Sequence, residues 1–155
     1  MNVTVTIDEP GFLQSINKCF EQVKMSCHEA MVEQFKDMVI SNFGVSGTSR
    51  PKEWAQLSYG YAKKYHKGDR TPTLILSGDM MASVNGMADS ESGTVSCDSS
   101  YAAIHQWGLE NEEGLPMSAR PFFPIVGNEN KSFLTPEAEK ACLDACEQTL
   151  TKSLK

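Results

Sequence analysis

The sequence predicts an α+β fold: a long N-terminal amphipathic helix packed on a small antiparallel sheet, with short flanking helices and a C-terminal helix. Three observations carry this expectation. No proline or glycine interrupts the chain from about Phe12 to Phe43, and apolar residues recur there in steps of three and four. Two strand-like runs, Val84–Ala88 and Thr94–Cys97, flank the turn-like Asp89-Ser-Glu-Ser-Gly93 and read as a hairpin. Thr135-Pro136-Glu137 supplies an N-cap, a first-turn proline and an acidic first turn for a helix running to about Leu150.

Taken in order, Val3, Val5 and Ile7 alternate with polar residues and predict a half-buried strand ended by Pro10 and Gly11. The long helix begins after Asp8, Glu9 and Pro10 and stops at Gly44. Its apolar stripe includes Phe12, Ile16, Phe20, Val23, Cys27, Met31, Phe35, Met38 and Phe43, over roughly 45 Å at about 1.5 Å per residue. Either a sheet of the same chain or another subunit would cover such a stripe. Ser46–Pro51 reads as a loop, and a shorter helix is expected around Trp54–Tyr65, broken by Gly68 and Pro72. Leu74–Leu76 leads into a short helix within Ser77–Val84. Tyr101–Trp107 makes another, stopped by Gly108. Pro116, Pro121 and Pro124 keep the following segment extended. The inner face of the last helix (Ala138, Ala141, Cys142, Ala145) is small and permits close approach to a neighbour; Thr151–Lys155 is expected to fray. No repeat or low-complexity tract appears, and the length suits one domain over residues 1–155.

Composition narrows the function classes. At 40% hydrophobic and 22% charged the chain is an ordinary globular one. No run approaches the ~20 apolar residues of a membrane span, and the N-terminus lacks the basic region of a signal peptide. The odd set Cys19, Cys27, Cys97, Cys142 and Cys146 suits reduced, mostly buried thiols in a cytosol. A net charge of −6 argues against generic binding to a phosphate backbone. The charge is uneven, however: six basic residues against two acidic ones give residues 50–70 a local +4, leaving −10 elsewhere. That asymmetry suits docking between sign-complementary surfaces, and a solvated basic face accounts for it equally simply.

Three chemistries can be written on these residues. A cysteine hydrolase would use Cys97 as nucleophile, His105 as base and Asp79 or Asp98 to orient it, yet no strand–turn–helix elbow surrounds Cys97. Cys142 and Cys146 share one helical face and Cys27-His28 lies on another helix, but no pair shows the two-to-four-residue spacing on a knuckle that structural zinc favours, and helical packing explains Cys142 and Cys146 better; no metal or cofactor is expected. Tyr59, Tyr61 and Tyr65 beside Lys63, Lys64, Lys67 and Arg70 are the makings of a nucleic-acid-binding face, but no recognised motif accompanies them and lysines snorkelling over aromatics explain them as well. Tyr101 and His105 are helical neighbours four apart. Arg120, held between Ala119 and Pro121, suits a bidentate contact with a carboxylate such as Glu110, Glu112 or Glu113. Phe122 and Phe123 would plug opposite faces of a strand.

Four segments together resemble a known family: Trp54-Ala-Gln-Leu-Ser58, then Leu74-Ile-Leu76 with Ser77-Gly78 and Met81–Val84, then Tyr101-Ala-Ala-Ile-His-Gln-Trp-Gly108, then Pro116-Met-Ser-Ala-Arg-Pro-Phe122. In this order they resemble the phage virion morphogenesis family, over roughly residues 10–125. Ser77 stands where a threonine is expected before Gly78, Met117-Ser118 lengthen one segment, and the C-terminal helix has no counterpart in the resemblance. The resemblance implies a structural protein of the tail or neck, not an enzyme. It would complete the tail or join it to the head as a subunit of a ring, sixfold by expectation. Its partners would be its own copies and other tail, neck or head-connector proteins, with DNA contact incidental and no membrane. It would reside in the virion after assembly in the bacterial cytoplasm. Trp54, Gly78, Tyr101, His105, Gln106, Trp107, Gly108, Arg120, Pro121 and Phe122 then mark the fold or an interface, with no catalytic, cofactor or metal residue among them.

Overall fold

The proline- and glycine-free run folds as one helix, α1, spanning Pro10–Ser41 in a computed structural model that describes residues 10–45, 47–110 and 116–153. The strand expected through Val3, Val5 and Ile7 lies outside the described residues. Further along come α2 (Tyr59–Tyr65), α3 (Asp79–Ala82), β1 (Val84–Ala88), β2 (Gly93–Cys97), α4 (Ala102–Trp107), β3 (Leu109–Glu110), β4 (Pro116–Met117), β5 (Ile125–Asn128), β6 (Lys131–Leu134) and α5 (Pro136–Ser153). The architecture is α+β. Among the described residues the strands form three separate antiparallel pairs, β1–β2, β3–β4 and β5–β6, rather than one sheet.

Two layers cover α1. On one side lies α5, whose small residues permit the approach: Ala138 is fully buried, and the Cys142 thiol reaches the Met31 carbonyl at 3.8 Å. Cys27 meets Cys146, so α5 recedes along α1 as it advances and the two helices are antiparallel. On the other side lies the β1–β2 hairpin, paired from Val84↔Cys97 to Ala88↔Gly93. Its two glycines make the close approach possible. A Cβ on Gly86 would fall 2.7 Å from Val32 Cγ1, and one on Gly93 would fall 2.5 Å from Val32 Cγ2. At the hairpin tip His28 Nδ1 lies 2.7 Å from the Asp89 carbonyl; because a carbonyl only accepts, that nitrogen donates.

These layers settle the covering of the long stripe. From Val23 to Phe43 its residues pack within the chain, whereas Cys19 and Phe20 are exposed, Phe20 at 63%. The stripe is therefore open at Cys19 and Phe20, while Ile16 one turn earlier is half-buried. The central core is Val39, Phe43, Trp54, Val84 and Phe122, and among the described residues no helix is long and apolar enough to cross a membrane.

Several boundaries differ from expectation. The helix expected over Trp54–Tyr65 covers only Tyr59–Tyr65, because the Ser58 hydroxyl caps it by accepting from the Tyr61 amide. Trp54 precedes it, held out of helical geometry by its own core contacts. The C-terminal helix runs on through Ser153, so residues 151–153 are helical rather than frayed, with Thr151 and Ser153 hydroxyls bonded one turn back to Glu147 and Thr149 carbonyls. The β5–β6 hairpin was not expected. Its turn is built by Asn128, whose side chain accepts from the amides of Asn130 and Lys131.

Candidate functional site

Three polar side chains from distant parts of the chain converge on the backbone of Pro121–Phe123, and a fourth, Arg50, braces two of them. Gln106, on α4, is the centre of this latch: its Oε1 accepts from the amides of Phe122 and Phe123, each at 3.0 Å, and its Nε2 donates to the Phe123 carbonyl at 3.4 Å. The Trp54 indole donates to the Pro121 carbonyl at 3.1 Å. Asn42, just past the end of α1 and fully buried, donates to the Phe122 carbonyl at 3.0 Å and accepts from the Ser49 amide. Arg50 completes the group. Its Nε donates to the Asn42 carbonyl at 3.0 Å, its Nη2 donates to the Gly44 carbonyl, and the guanidinium lies 3.7 Å from the Trp54 ring centroid. Every polar atom named here bonds to main chain.

The latch explains the two phenylalanines. They do not plug opposite faces, as an extended strand would require: both amides point to the same Gln106 oxygen, and the rings pack together with centroids 5.0 Å apart. Phe122 meets Phe43 at 4.8 Å and Phe123 meets Phe35 at 6.2 Å, so one short segment fastens both ends of the core. Asn42 and Arg50 went unnoticed in the sequence, since nothing local distinguishes a buried capping asparagine from a surface one.

Beside the latch, Arg120 joins the same framework through its backbone amide, which donates to the His105 carbonyl at 2.7 Å, while its guanidinium reaches the Ala55 carbonyl at 3.4 Å. Of the carboxylates suggested for it, Glu112, Glu113 and the Glu110 side chain lie outside the described residues. Gly108 ends α4 at φ 85°, a left-handed conformation that a side chain would strain, with its amide bonded to the Ile104 carbonyl. Gly78 precedes α3 at φ 89°.

A cleft of about 510 Å³ opens in front of these residues, lined by Tyr61 of α2 and His66 just after it, by the Leu74–Gly78 segment, and by Tyr101, His105 and Arg120. Burial, and then the Arg120 charge, hold the His105 imidazole below its ordinary pKa. A second, apolar groove of about 400 Å³ lies on the other side of α4, between Phe35, Cys97, Trp107, Phe123 and Leu134. Cys97 and His105 thus line different cavities. The Cys97 thiol bonds to the Ser83 hydroxyl at 3.3 Å and the Met80 carbonyl at 3.5 Å, Asp79 pairs with Ser77, and Asp98 accepts from Asn85. No hydrolase triad is assembled from them. Among the described residues no group of three or more His, Cys, Asp or Glu side chains is placed to hold a metal.

The tyrosines of α2 interact mainly with one another and their neighbours: Tyr61 lies 4.9 Å from Tyr65 and 5.5 Å from His66, and the Lys64 ammonium stands 4.9 Å over the Tyr65 ring.

No curated protein and no solved structure matches this chain. The phage virion morphogenesis family does match, over residues 21–150. That span takes in most of α1, the latch, both cavities and also α5, which the resemblance read from the sequence had left out. With most of its length aligned to that pattern, the chain belongs to the phage virion morphogenesis family.

Proposed function

We propose that this protein is a structural subunit of the phage tail or neck, which completes the tail or joins it to the head by assembling as a ring through protein–protein contacts. One observation carries this reading beyond the family: three polar side chains of the signature segments are spent on main-chain groups of their own fold. Trp54, Gln106 and Arg120 hold the Pro121–Phe123 segment in place. That is how a scaffold is built. The separation of Cys97 from His105 supports a protein without a catalytic step. Phe20, exposed on α1, and the sorted charge supply surfaces for neighbours.

Two measurements test the reading together. Purified full-length protein should scatter light as a multiple, six by expectation, of its 17.1 kDa chain. A phage lacking the protein should leave filled heads and unattached or overlong tails in micrographs, restored by supplying it in trans. Normal infectious particles from the deletion, or a protein absent from purified virions, would overturn the proposal.

A further inference from the structure

Charge is sorted along this chain in a way its own ion pairs do not use. Residues 50–70 carry +4; residues 71–100 contain Asp79, Asp89, Glu91 and Asp98 with no basic residue, and so carry −4. Among the described residues, the side-chain ion pairs within 4 Å are Lys24–Glu21 and Lys140–Asp144. Lys63, Lys64 and Lys67 at one place, and Asp89 and Glu91 at the other, therefore have no such partner. Lys24, which the Glu91 charge reaches, is already bonded to Glu21 at 2.9 Å.

Geometry keeps the two groups apart within one copy. Thr73 and Leu74 bond to the Phe43 carbonyl and share the large cleft with Tyr61 and His66, which places α2 beyond the C-terminal end of α1. The hairpin tip is fastened instead to His28. Fifteen residues separate His28 from Phe43, about 22 Å along the helix axis at ~1.5 Å per residue. The Debye length at physiological salt is ~8 Å, so these charges barely sense each other in one molecule. Brought together from two molecules, they would.

Both groups also border exposed apolar surface. Tyr59 on α2 is 67% exposed and shares its helical face with Lys63 four residues on, while Tyr61 and Tyr65 pair on the opposite face. On the hairpin, the face turned away from α1 presents Met87, 71% exposed and two residues from Asp89. A thioether against an aromatic ring, with a lysine facing a carboxylate beside it, makes two unlike patches of one chain complementary to each other.

We propose that the Tyr59–Lys63 face of α2 in one copy docks the acidic hairpin tip of a second copy, Met87 seating against Tyr59 and Glu91 facing Lys63. Because the patches are unlike, the contact is head-to-tail and propagates into a ring when the rotation closes. The inference rests on the ring reading above and names the surfaces that make the ring.

A charge swap tests it. Lys63→Glu and Glu91→Lys are made singly and together in the full chain, and assembly is followed by sedimentation, with thermal melting as the check on folding. Each single variant should melt like the wild type and need roughly tenfold more protein to assemble. The double variant should return to within about threefold of the wild type, since the pair is rebuilt with reversed sign. Single variants that assemble like the wild type, or a double variant weaker than either, overturn the docking while leaving the ring intact. A wild type that stays monomeric at high concentration and low salt, and is absent from virions, overturns both. If duplex DNA is shifted by the wild type and not by Lys63→Glu, while assembly is equal, the α2 face belongs to nucleic acid and the docking is wrong.

Discussion

Gln106→Met removes both ends of the amide from the latch while nearly preserving side-chain volume. Its consequence follows from what the glutamine satisfies. Gln106 is 6% exposed, and its Oε1 accepts from two main-chain amides, those of Phe122 and Phe123. A buried donor left without a partner costs ~1–3 kcal/mol, more than the bond itself contributes. Phe122 is fully buried, so its amide carries the full penalty; Phe123 is half-buried, so water recovers part of the second. The sum is about 2–4 kcal/mol, a large share of the ~5–15 kcal/mol that holds a typical domain together. At roughly 2–4 °C per kcal/mol for a chain of this size, the melting temperature should fall by about 4–16 °C. Urea unfolding followed by tryptophan fluorescence gives the free energy directly. Trp54→Phe provides the internal comparison, because it orphans an acceptor, the Pro121 carbonyl, rather than two donors, and should cost only ~1 kcal/mol of hydrogen bonding before any packing loss. A Gln106→Met variant within 0.5 kcal/mol of the wild type would refute the argument that this glutamine fastens α4 to the 121–123 segment.

Two further outcomes come from the same geometry. Gly93→Ala places a methyl 2.5 Å from Val32 Cγ2, on a stiff β-branched side chain, and should destabilise by ~1–3 kcal/mol in urea titrations; adding Val32→Ala should recover part of that loss, and strictly additive effects would contradict the contact. The His105 imidazole binds its proton more weakly folded than unfolded, so the unfolded chain gains protons first as pH falls below about 6.5, and stability should decline from there towards the lower folded value. The depressed carboxyls of Glu21, Asp69 and Asp89 act only further into acid, where they too lose their contribution as they protonate. Urea midpoints at pH 7.5, 6.5 and 5.5 should therefore fall in the wild type and stay flatter in His105→Gln; parallel curves would remove His105 as the cause.

Local periodicity carried much of the fold to the surface of the sequence. The β1–β2 hairpin, the proline-free α1 and the cap of α5, where the Thr135 hydroxyl accepts from the Ala138 amide at 3.3 Å, all follow from residues within a few positions of each other. What stayed hidden depended on long-range partners. Trp54 and Pro121 are 67 positions apart and Asn42 and Phe122 are 80 apart, so no window of sequence shows that they meet. Phe122 and Phe123 misled for the same reason: alternation was the right local rule, and Gln106 overrode it. The β5–β6 hairpin did leave a trace in Asn128-Glu-Asn130, a turn signal between Ile125-Val126 and Phe133-Leu134, weakened by the short strands either side.

The latch and the proposed docking surfaces are linked by one mechanical requirement. A ring contact between unlike patches works only if the two patches keep a fixed distance and angle within each subunit, because small rotations at every interface accumulate around the ring. Here the hairpin is set by α1, through Val32 and His28, and the cleft that borders α2 is set by Phe43 and by Arg120. The part that ties those two settings together is the 121–123 segment, which packs on Phe43 and Phe35 of α1 and is clamped by Gln106 beside Arg120. Loosening it should therefore damage assembly beyond what lost stability alone explains. On that argument Gln106→Met, studied well below its melting temperature, should assemble more weakly than Gly93→Ala of matched stability.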